Sequence, residues 1–308
     1  MMIREPVVAG HFYAGQADRC RAELKQLLAD ASPPDTLVGR RLIGGLVPHA
    51  GWTCSGAVAA KVFSALAVSR ATGDSRGERS SSKASPEVIV LFGGVHRHRG
   101  REAALFGAGR WETPLGPIEV DSRLAERILG HTNLIVDDPY AHEDEHSLEV
   151  QMPFIKHLFP QAKVVPLMVP VVKTAHEVGD AVGRTVTAYG YDALIVGTTD
   201  LTHYGPHYGF VPQGIGAKGN AWAKEVNDRR FIDMVCKLKT TDVVAEATER
   251  KNACSSGATA ATLAAVNALG ATEGILLQHT TSSEVLGVRS EEEMADSVGY
   301  AGIVFTGQ

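Results

Sequence analysis

Short apolar runs punctuated by Gly or Pro recur along the chain and predict buried strands. Three of them, residues 42–47, 88–92 and 193–196, are rich in Val, Ile and Leu. The segment after the first run carries apolar residues at helical spacing, which predicts the helix of a βαβ crossover. The pattern therefore predicts an α/β fold with a central, largely parallel or mixed sheet.

The same reasoning predicts the other elements. A helix over residues 17–28 precedes the first core strand, and Ser55 is a candidate N-cap for the helix after that strand. The polar, Ser-rich stretch of about residues 70–86 is interpreted as a surface loop within one domain that spans residues 1–308. Further strands are expected at 103–106, 118–120, 164–169 and 300–305, and further helices at about 174–189, 221–239 and 256–269.

Each of the three apolar runs is followed within seven residues by a histidine. These histidines are His49, His96 and His203. Open α/β sheets bind ligands just outside the carboxyl ends of their parallel strands. One such histidine could be a turn or capping residue, but three of them predict a convergent site.

Composition narrows the classes of function. The chain has 308 residues, 44% of them apolar, which is enough for a sizeable core. A net charge of −5 without a long basic run argues against nucleic-acid or anionic membrane partners and favours a small-molecule or peptide substrate. The N-terminus has no secretory pattern and no segment approaches 18 uninterrupted apolar residues, so a cytoplasmic protein is expected.

Four widely spaced cysteines make a disulfide framework unexpected and leave individual thiols as candidates. Cys254 comes just before an Ala-rich helix, whose N-terminal dipole favours the thiolate that binds metals or attacks electrophiles. Its alternative role is that of a small buried hydrophobic residue. Cys54, five residues after His49, is the competing thiol and would suggest acyl transfer.

The segment from His142 to His146 matches H-E-x-x-H, a motif of zinc peptidases in which both histidines lie on one helical face. Pro139 just before it disfavours the preceding turn of helix, and the segment lacks an apolar face. A solvated helix start with favourable acidic charges, or a lining role in the strand-end site, are the alternatives. A zinc hydrolase that uses His142, Glu143 and His146 stays a third hypothesis.

Several segments, in order along nearly the whole chain, resemble the Memo family. They are REPVVAGHFY (4–13), VPHAGW (47–52), SG (55–56), WETPLG (111–116), EHSLEVQMPF (145–154), DLTHYG (200–205) and VGY (298–300). The resemblance implies a three-layer α/β/α fold similar to class III extradiol dioxygenases, with a non-haem metal site at the strand ends.

The resemblance also implies the roles of individual residues. By motif, the metal ligands fall on His49, His96 and Cys254, with His98 as an alternative to His96. The histidine of the Asp-x-x-His-Tyr-Gly motif is His203, which would act as the acid/base residue. The remaining residues implied near the reaction are Asp200, Glu145 and His146.

Two imidazoles and a thiolate form a soft donor set that suits iron or copper, or alternatively zinc, with open positions. We therefore predict a metal-dependent, dioxygenase-like oxidoreductase in which His203 moves protons. The ring-cleaving activity of the dioxygenases is not assigned to this chain. Those enzymes use a carboxylate as the third metal ligand, whereas the ligand implied here is a thiolate. The alternative from another class is a non-catalytic signalling or adaptor protein that binds a peptide or phosphopeptide, although no Arg cluster for phosphate is evident. The resemblance further implies a radical-SAM protein as a partner encoded nearby.

Overall fold

The structure is a computed structural model that describes residues 2–72, 85–97, 100–288 and 295–307. Most of the predicted Ser-rich loop and the alternative ligand His98 lie outside the described residues. Those two predictions are therefore untested.

Twelve strands occur in the described residues, and nine of them form one mixed sheet. The strands are β1 (Ile3–Arg4), β2 (Leu42–Val47), β3 (Val88–Gly93), β4 (Ala103–Leu105), β5 (Arg110–Trp111), β6 (Ile118–Glu119), β7 (Ile135–Asp137), β8 (Lys163–Met168), β9 (Ala193–Thr198), β10 (His203–Tyr204), β11 (Ala271–Thr281) and β12 (Ser297–Gly307). The order is β10-β12-β2-β9-β3-β8-β4-β7, with β11 also paired to β12. Strands β2, β9, β3 and β8 run parallel, so their carboxyl ends meet at one edge.

Helices cover both faces of this sheet and produce the expected three-layer α/β/α architecture. They are α1 (Ala17–Ala29), α2 (Trp52–Thr72), α3 (Ser122–Leu129), α4 (Met152–Leu158), α5 (Ala175–Ala188), α6 (Ala217–Trp222), α7 (Arg229–Cys236), α8 (Val243–Arg250), α9 (Ser256–Ala268) and α10 (Ser282–Val285). Helices α1, α2 and α4 pack on one side, whereas α3, α5 and α7 to α9 pack on the other.

Strand β3 shows why the apolar runs are continuous rather than alternating. Val88, Val90 and Phe92 belong to the core beneath α5 and α9, whereas Ile89 and Leu91 belong to the core beneath α1 and α2. Successive side chains of a strand point to opposite faces, and both faces are buried here. The sequence pattern therefore follows from the two-sided burial of the sheet.

Most predicted boundaries agree with the structure to within a few residues. Strand β2 coincides with its predicted range, and the predicted helix at 17–28 is α1. The N-cap prediction for Ser55 is wrong, because α2 begins three residues earlier, at Trp52, and Ser55 Oγ donates to the Ala50 carbonyl over 2.8 Å. Strand β11 and helix α8 were not predicted.

The helix α2 is long and apolar enough to cross a membrane by length and composition alone. Residues Trp52–Ala71 have a mean hydropathy of 1.2, and 56% of that window is buried inside the protein. The helix packs on β2, β11 and β12. Its apolar character is therefore that of a core helix in a globular α/β domain.

Helix α9, which begins just after Cys254, packs close to α5 because Gly179 of α5 has no side chain. A Cβ at Gly179 would lie 1.9 Å from the Ala261 carbonyl oxygen. Only glycine permits that approach of two helix backbones. The N-terminus of α9 therefore has a fixed position beside the carboxyl ends of β3 and β9.

Candidate metal centre

His49 follows β2 directly and is wholly buried at the edge of the sheet. Its backbone N–H donates to Asp200 Oδ1 over 2.8 Å, and its Nδ1 lies 2.8 Å from Thr198 Oγ1. The other ring nitrogen, Nε2, lies 3.3 Å from Cys254 Sγ. Strands β2 and β9 are parallel neighbours, so their carboxyl ends lie side by side. Thr198 at the end of β9 and Asp200 just after it therefore hold His49, which comes after β2.

Cys254 is brought to the same point by the loop before α9. Its backbone N–H donates to the Asp200 carbonyl over 3.1 Å, and its Sγ accepts from the Asp200 N–H over 3.3 Å. Burial alone would raise the pKa of Cys254, but the nearby imidazoles of His49, His203 and His96 hold that pKa well below its usual value. These neighbours therefore favour the thiolate, the form that binds metals.

His96 follows β3 and is oriented by a buried carboxylate. Its backbone N–H donates to Glu145 Oε2 over 2.9 Å, and its Nδ1 lies 3.0 Å from Glu145 Oε1. Burial would lower the pKa of His96, yet Cys254 and Glu145 raise it to about 10. Glu145 is buried, which favours its protonated form, but His96 and the Ser147 N–H lower its pKa. A carboxylate on Nδ1 leaves Nε2 of His96 for the centre.

His146 is the third histidine of the cluster. One ligand atom from each of His49, His96 and His146 lies within 4.8 Å of the others. The His146 ring stacks on His96 with centroids 4.7 Å apart. Burial and then His49 lower the pKa of His146 to about 4, so its imidazole is neutral at pH 7. The resemblance had placed His146 near the reaction rather than among the ligands.

Asp200 and His203 lie next to the ligands. Asp200 is buried, and burial raises its pKa. Its side chain accepts a hydrogen bond from the His49 N–H, and its own backbone N–H donates to Cys254 Sγ. His203 Nε2 is buried and has no hydrogen-bond partner among the described residues. Burial would lower the pKa of His203, but Cys254 raises it above the usual value.

The residues present fit a bound metal cation. The ligand atoms of His49, His96 and His146 lie within 4.8 Å of one another, and Cys254 Sγ lies 3.3 Å from His49 Nε2. His49 and His96 already use Nδ1 for outer partners. Ligands bind metals in their deprotonated forms, so metal binding would release any protons that these groups carry. Three imidazoles and a thiolate together form a donor set that suits iron, copper or zinc.

A glycine makes room for the Cys254 loop. A Cβ at Gly94, just after β3, would lie 2.0 Å from Ser255 Oγ and 3.5 Å from His96 Cε1. The loop before α9 therefore approaches the end of β3 only because Gly94 lacks a side chain. Cys54, the competing thiol, lies instead against Val58, Val298 and Tyr300, and burial raises its pKa.

Sequence reasoning missed the carboxylate that holds the N-terminal segment against the centre. Glu149 accepts hydrogen bonds from Val7 N–H, Val8 N–H and the Tyr13 hydroxyl, each over 2.9 Å, and from Arg4 Nη2 over 3.0 Å. Arg4 also donates to the Glu145 carbonyl over 2.8 Å. The sequence did contain a signal for this contact, because Arg4 and Glu149 both lie in segments that carry the family resemblance.

The H-E-x-x-H interpretation is not supported by the geometry. His142 ends a short 3-10 helix, is fully buried, and contacts the Ala104 carbonyl through Nε2 at 3.1 Å. Its ring packs against Phe106 and Trp111 at 5.7 Å, whereas His146 faces His96. The two histidines therefore do not share a helical face or a ligand position.

Comparison with known proteins identifies related chains along the full length. The family model described as Memo-like protein matches residues 4–304. A MEMO1 family protein of Methanothermobacter thermautotrophicus is 36% identical over 307 residues, which cover 97% of this chain and 99% of the relative. One from Methanopyrus kandleri is 33% identical over 314 residues, with 99% of both chains covered. An Escherichia coli K12 protein of known structure has a TM-score of 0.40 and 11% identity over 70% of this chain and 86% of that chain, a likeness too distant to bear on the site.

Proposed function

The chain belongs to the Memo family, and on that premise we propose that it is a metal-dependent oxidoreductase with iron or copper bound by His49, His96 and Cys254. His146 is positioned as an additional donor. The observation that carries the proposal is the contact of a cysteine sulfur with an imidazole at the carboxyl edge of the sheet, 3.3 Å from Cys254 Sγ to His49 Nε2.

The donor set favours redox chemistry over hydrolysis. Bound iron or copper would supply oxidation and reduction chemistry toward O₂ or a reduced oxygen species. A thiolate is a strong donor that tunes the potential of such a metal. Asp200 bonds the backbones of both His49 and Cys254, so the protein holds these two ligands as one unit.

We assign His203 the role of moving protons in this reaction. Its Nε2 is buried beside Cys254 and free of other partners among the described residues. Cys254 raises the pKa of His203, which favours the protonated ring that can donate to a substrate. The His203 ring meets the Tyr208 ring edge to face, with centroids 4.9 Å apart, and this contact restrains its orientation.

Glu145 orients the second histidine ligand. Hydrogen bonds between a carboxylate and the outer nitrogen of a ligating imidazole fix its tautomer and raise its basicity. Glu145 provides this contact to His96, and its main chain is in turn held by Arg4. We therefore assign Glu145 a positioning role rather than one in proton transfer.

Oxygen uptake tests the proposal. Protein loaded anaerobically with Fe(II) or Cu(I) is mixed with ascorbate or a thiol, and O₂ consumption is followed. We expect metal-dependent uptake that Cys254→Ser removes and that His203→Gln slows by roughly 10²-fold or more with metal content unchanged. His176→Gln, in α5 and outside the site, is the matched histidine control. Uptake that is absent with every metal and reductant would exclude the proposed activity.

A further inference from the structure

A cavity of about 320 Å³ opens directly beside the metal centre. Its reactive end is formed by His203 and Cys254, and its walls include Leu201, Tyr208 and Phe210. Small-molecule sites are concave and mostly apolar, with a few placed polar groups, and this volume is at the small end of their range of roughly 300–1,000 Å³. The cavity therefore suits a compact ligand with an apolar body.

The cavity also has a cation in its wall. Lys251 lines it, and the Lys251 ammonium lies 5.4 Å from the centroid of the Phe210 ring. No ion pair joins Lys251 to a carboxylate among the residues that the structure describes. Lys251 is exposed but lines the cavity, so its ammonium can offer a positive charge to an anion bound there.

Lys251 occupies a backbone position that normally favours glycine. It follows α8 in the left-handed conformation, with φ 53° and ψ 40°, where helices commonly end with glycine. A side chain there costs roughly 1 kcal/mol or more. An unfavourable backbone conformation at a lysine fits a use for its side chain.

The loop from Lys251 to Cys254 is held at several points, so the backbone of Lys251 has a defined position relative to the centre. Asn252 is fully buried and donates to the Asn227 carbonyl over 3.0 Å. Cys254 N–H donates to the Asp200 carbonyl. Lys251 N–H itself closes the end of α8 on the Ala247 carbonyl over 2.8 Å.

Building on the proposed function, we propose that this cavity is the substrate pocket and that it selects a small molecule with an apolar body and one carboxylate. Lys251 binds the carboxylate, Tyr208 and Phe210 contact the apolar body, and the far end of the molecule reaches His203. A single ammonium matches a single negative charge, whereas phosphate sites usually gather several donors, often from Arg. The carboxylate is therefore favoured over a phosphate.

Phenylacetate and its neutral analogue phenylacetamide serve as probes of this selectivity. Their binding is measured by ligand-detected NMR and calorimetry on metal-free and metal-loaded protein. We expect phenylacetate to bind roughly tenfold more tightly than the amide, the effect of one charge-assisted hydrogen bond. Lys251→Gln should remove that preference and Lys251→Arg should keep most of it. Lys25→Gln, an exposed lysine of α1 outside the cavity, is the matched control.

Lys251→Gly provides a second test variant, which is useful even if Lys251→Gln destabilises the fold. Glycine relieves the left-handed backbone, so the variant should be at least as stable as the parent while it loses the preference for phenylacetate. Equal binding of the two probes, or an unchanged preference in Lys251→Gln and Lys251→Gly, would overturn the inference. A preference for phenylacetate together with no oxygen uptake by the metal-loaded protein would refute the proposed oxidoreductase activity but keep the carboxylate pocket.

Discussion

Replacement of Glu149 by Gln tests whether one buried carboxylate holds the N-terminal segment against the metal centre. Oε2 accepts from Arg4 and Val7, and Oε1 accepts from Val8 and Tyr13. Each of the two carboxylate oxygens of Glu149 therefore accepts from two donors. A glutamine amide presents one NH₂ group, and neither orientation of that amide avoids placing it against donors.

The magnitude follows from burial and charge. The side chains of Arg4 and Glu149 are 3% and 2% exposed. Removal of one partner of a buried ion pair leaves an uncompensated charge and costs about 3–5 kcal/mol. That is a large part of the 5–15 kcal/mol by which domains are usually stable. Phe12, in the same segment, packs on His146 at 5.1 Å, so the loss should extend to the centre.

Urea unfolding at pH 7 measures this effect. We expect Glu149→Gln to lower the free energy of unfolding by about 3–5 kcal/mol, which moves the urea midpoint by about 1 M or more. Glu126→Gln, on the exposed face of α3, is the matched control and should change it by less than about 0.5 kcal/mol. A loss in Glu149→Gln no larger than that of the control would refute the reasoning.

Three further predictions address the centre itself. Thiolate absorbance of metal-free protein should persist well below the usual thiol pKa, and Cys254→Ser should remove that acidic-range signal. Glu145→Gln should weaken metal binding roughly 10–100-fold, as measured by competition with a chelator. It should also return the pKa of His96 from about 10 toward 6.5 in an NMR titration. The raised pKa stabilises the metal-free fold below about pH 6.5, and this contribution is lost as pH rises through about 10; Glu145→Gln should flatten that dependence. Gly94→Ala should cost roughly 1–3 kcal/mol of stability in thermal unfolding, and Ser255→Gly in the same chain should recover part of it.

The convergence of three histidines was predictable because strand ends are marked in the sequence. Short two-sided apolar runs identify β2, β3 and β9, and parallel pairing places residues after each strand at one edge. His49, His96 and His203 accordingly lie together around Cys254. Cys254 itself was identified from its place before α9 and from the family resemblance.

Other features depend on contacts that local sequence does not encode. Strand β11 pairs only with β12 in the described residues and is half-buried along much of its length, so its mixture of polar and apolar residues lacks a clear period. The role of Ser55 depends on how the chain enters α2. The four hydrogen bonds to Glu149 join residues more than 130 positions apart. The left-handed conformation at residue 251 could not be predicted, because the residue there is a lysine and not the glycine that usually marks it.

Metal content of protein purified without a metal-affinity tag tests the central claim most directly. Parent protein and the His49→Ala, Cys254→Ser and His146→Ala variants are loaded anaerobically with Fe(II), Cu(I) or Zn(II) and analysed for metal. Near-stoichiometric metal in the parent that both His49→Ala and Cys254→Ser abolish is the predicted result, and His146→Ala then shows whether the third imidazole strengthens the site. Metal retained at the parent level in both His49→Ala and Cys254→Ser would contradict the assignment of this centre.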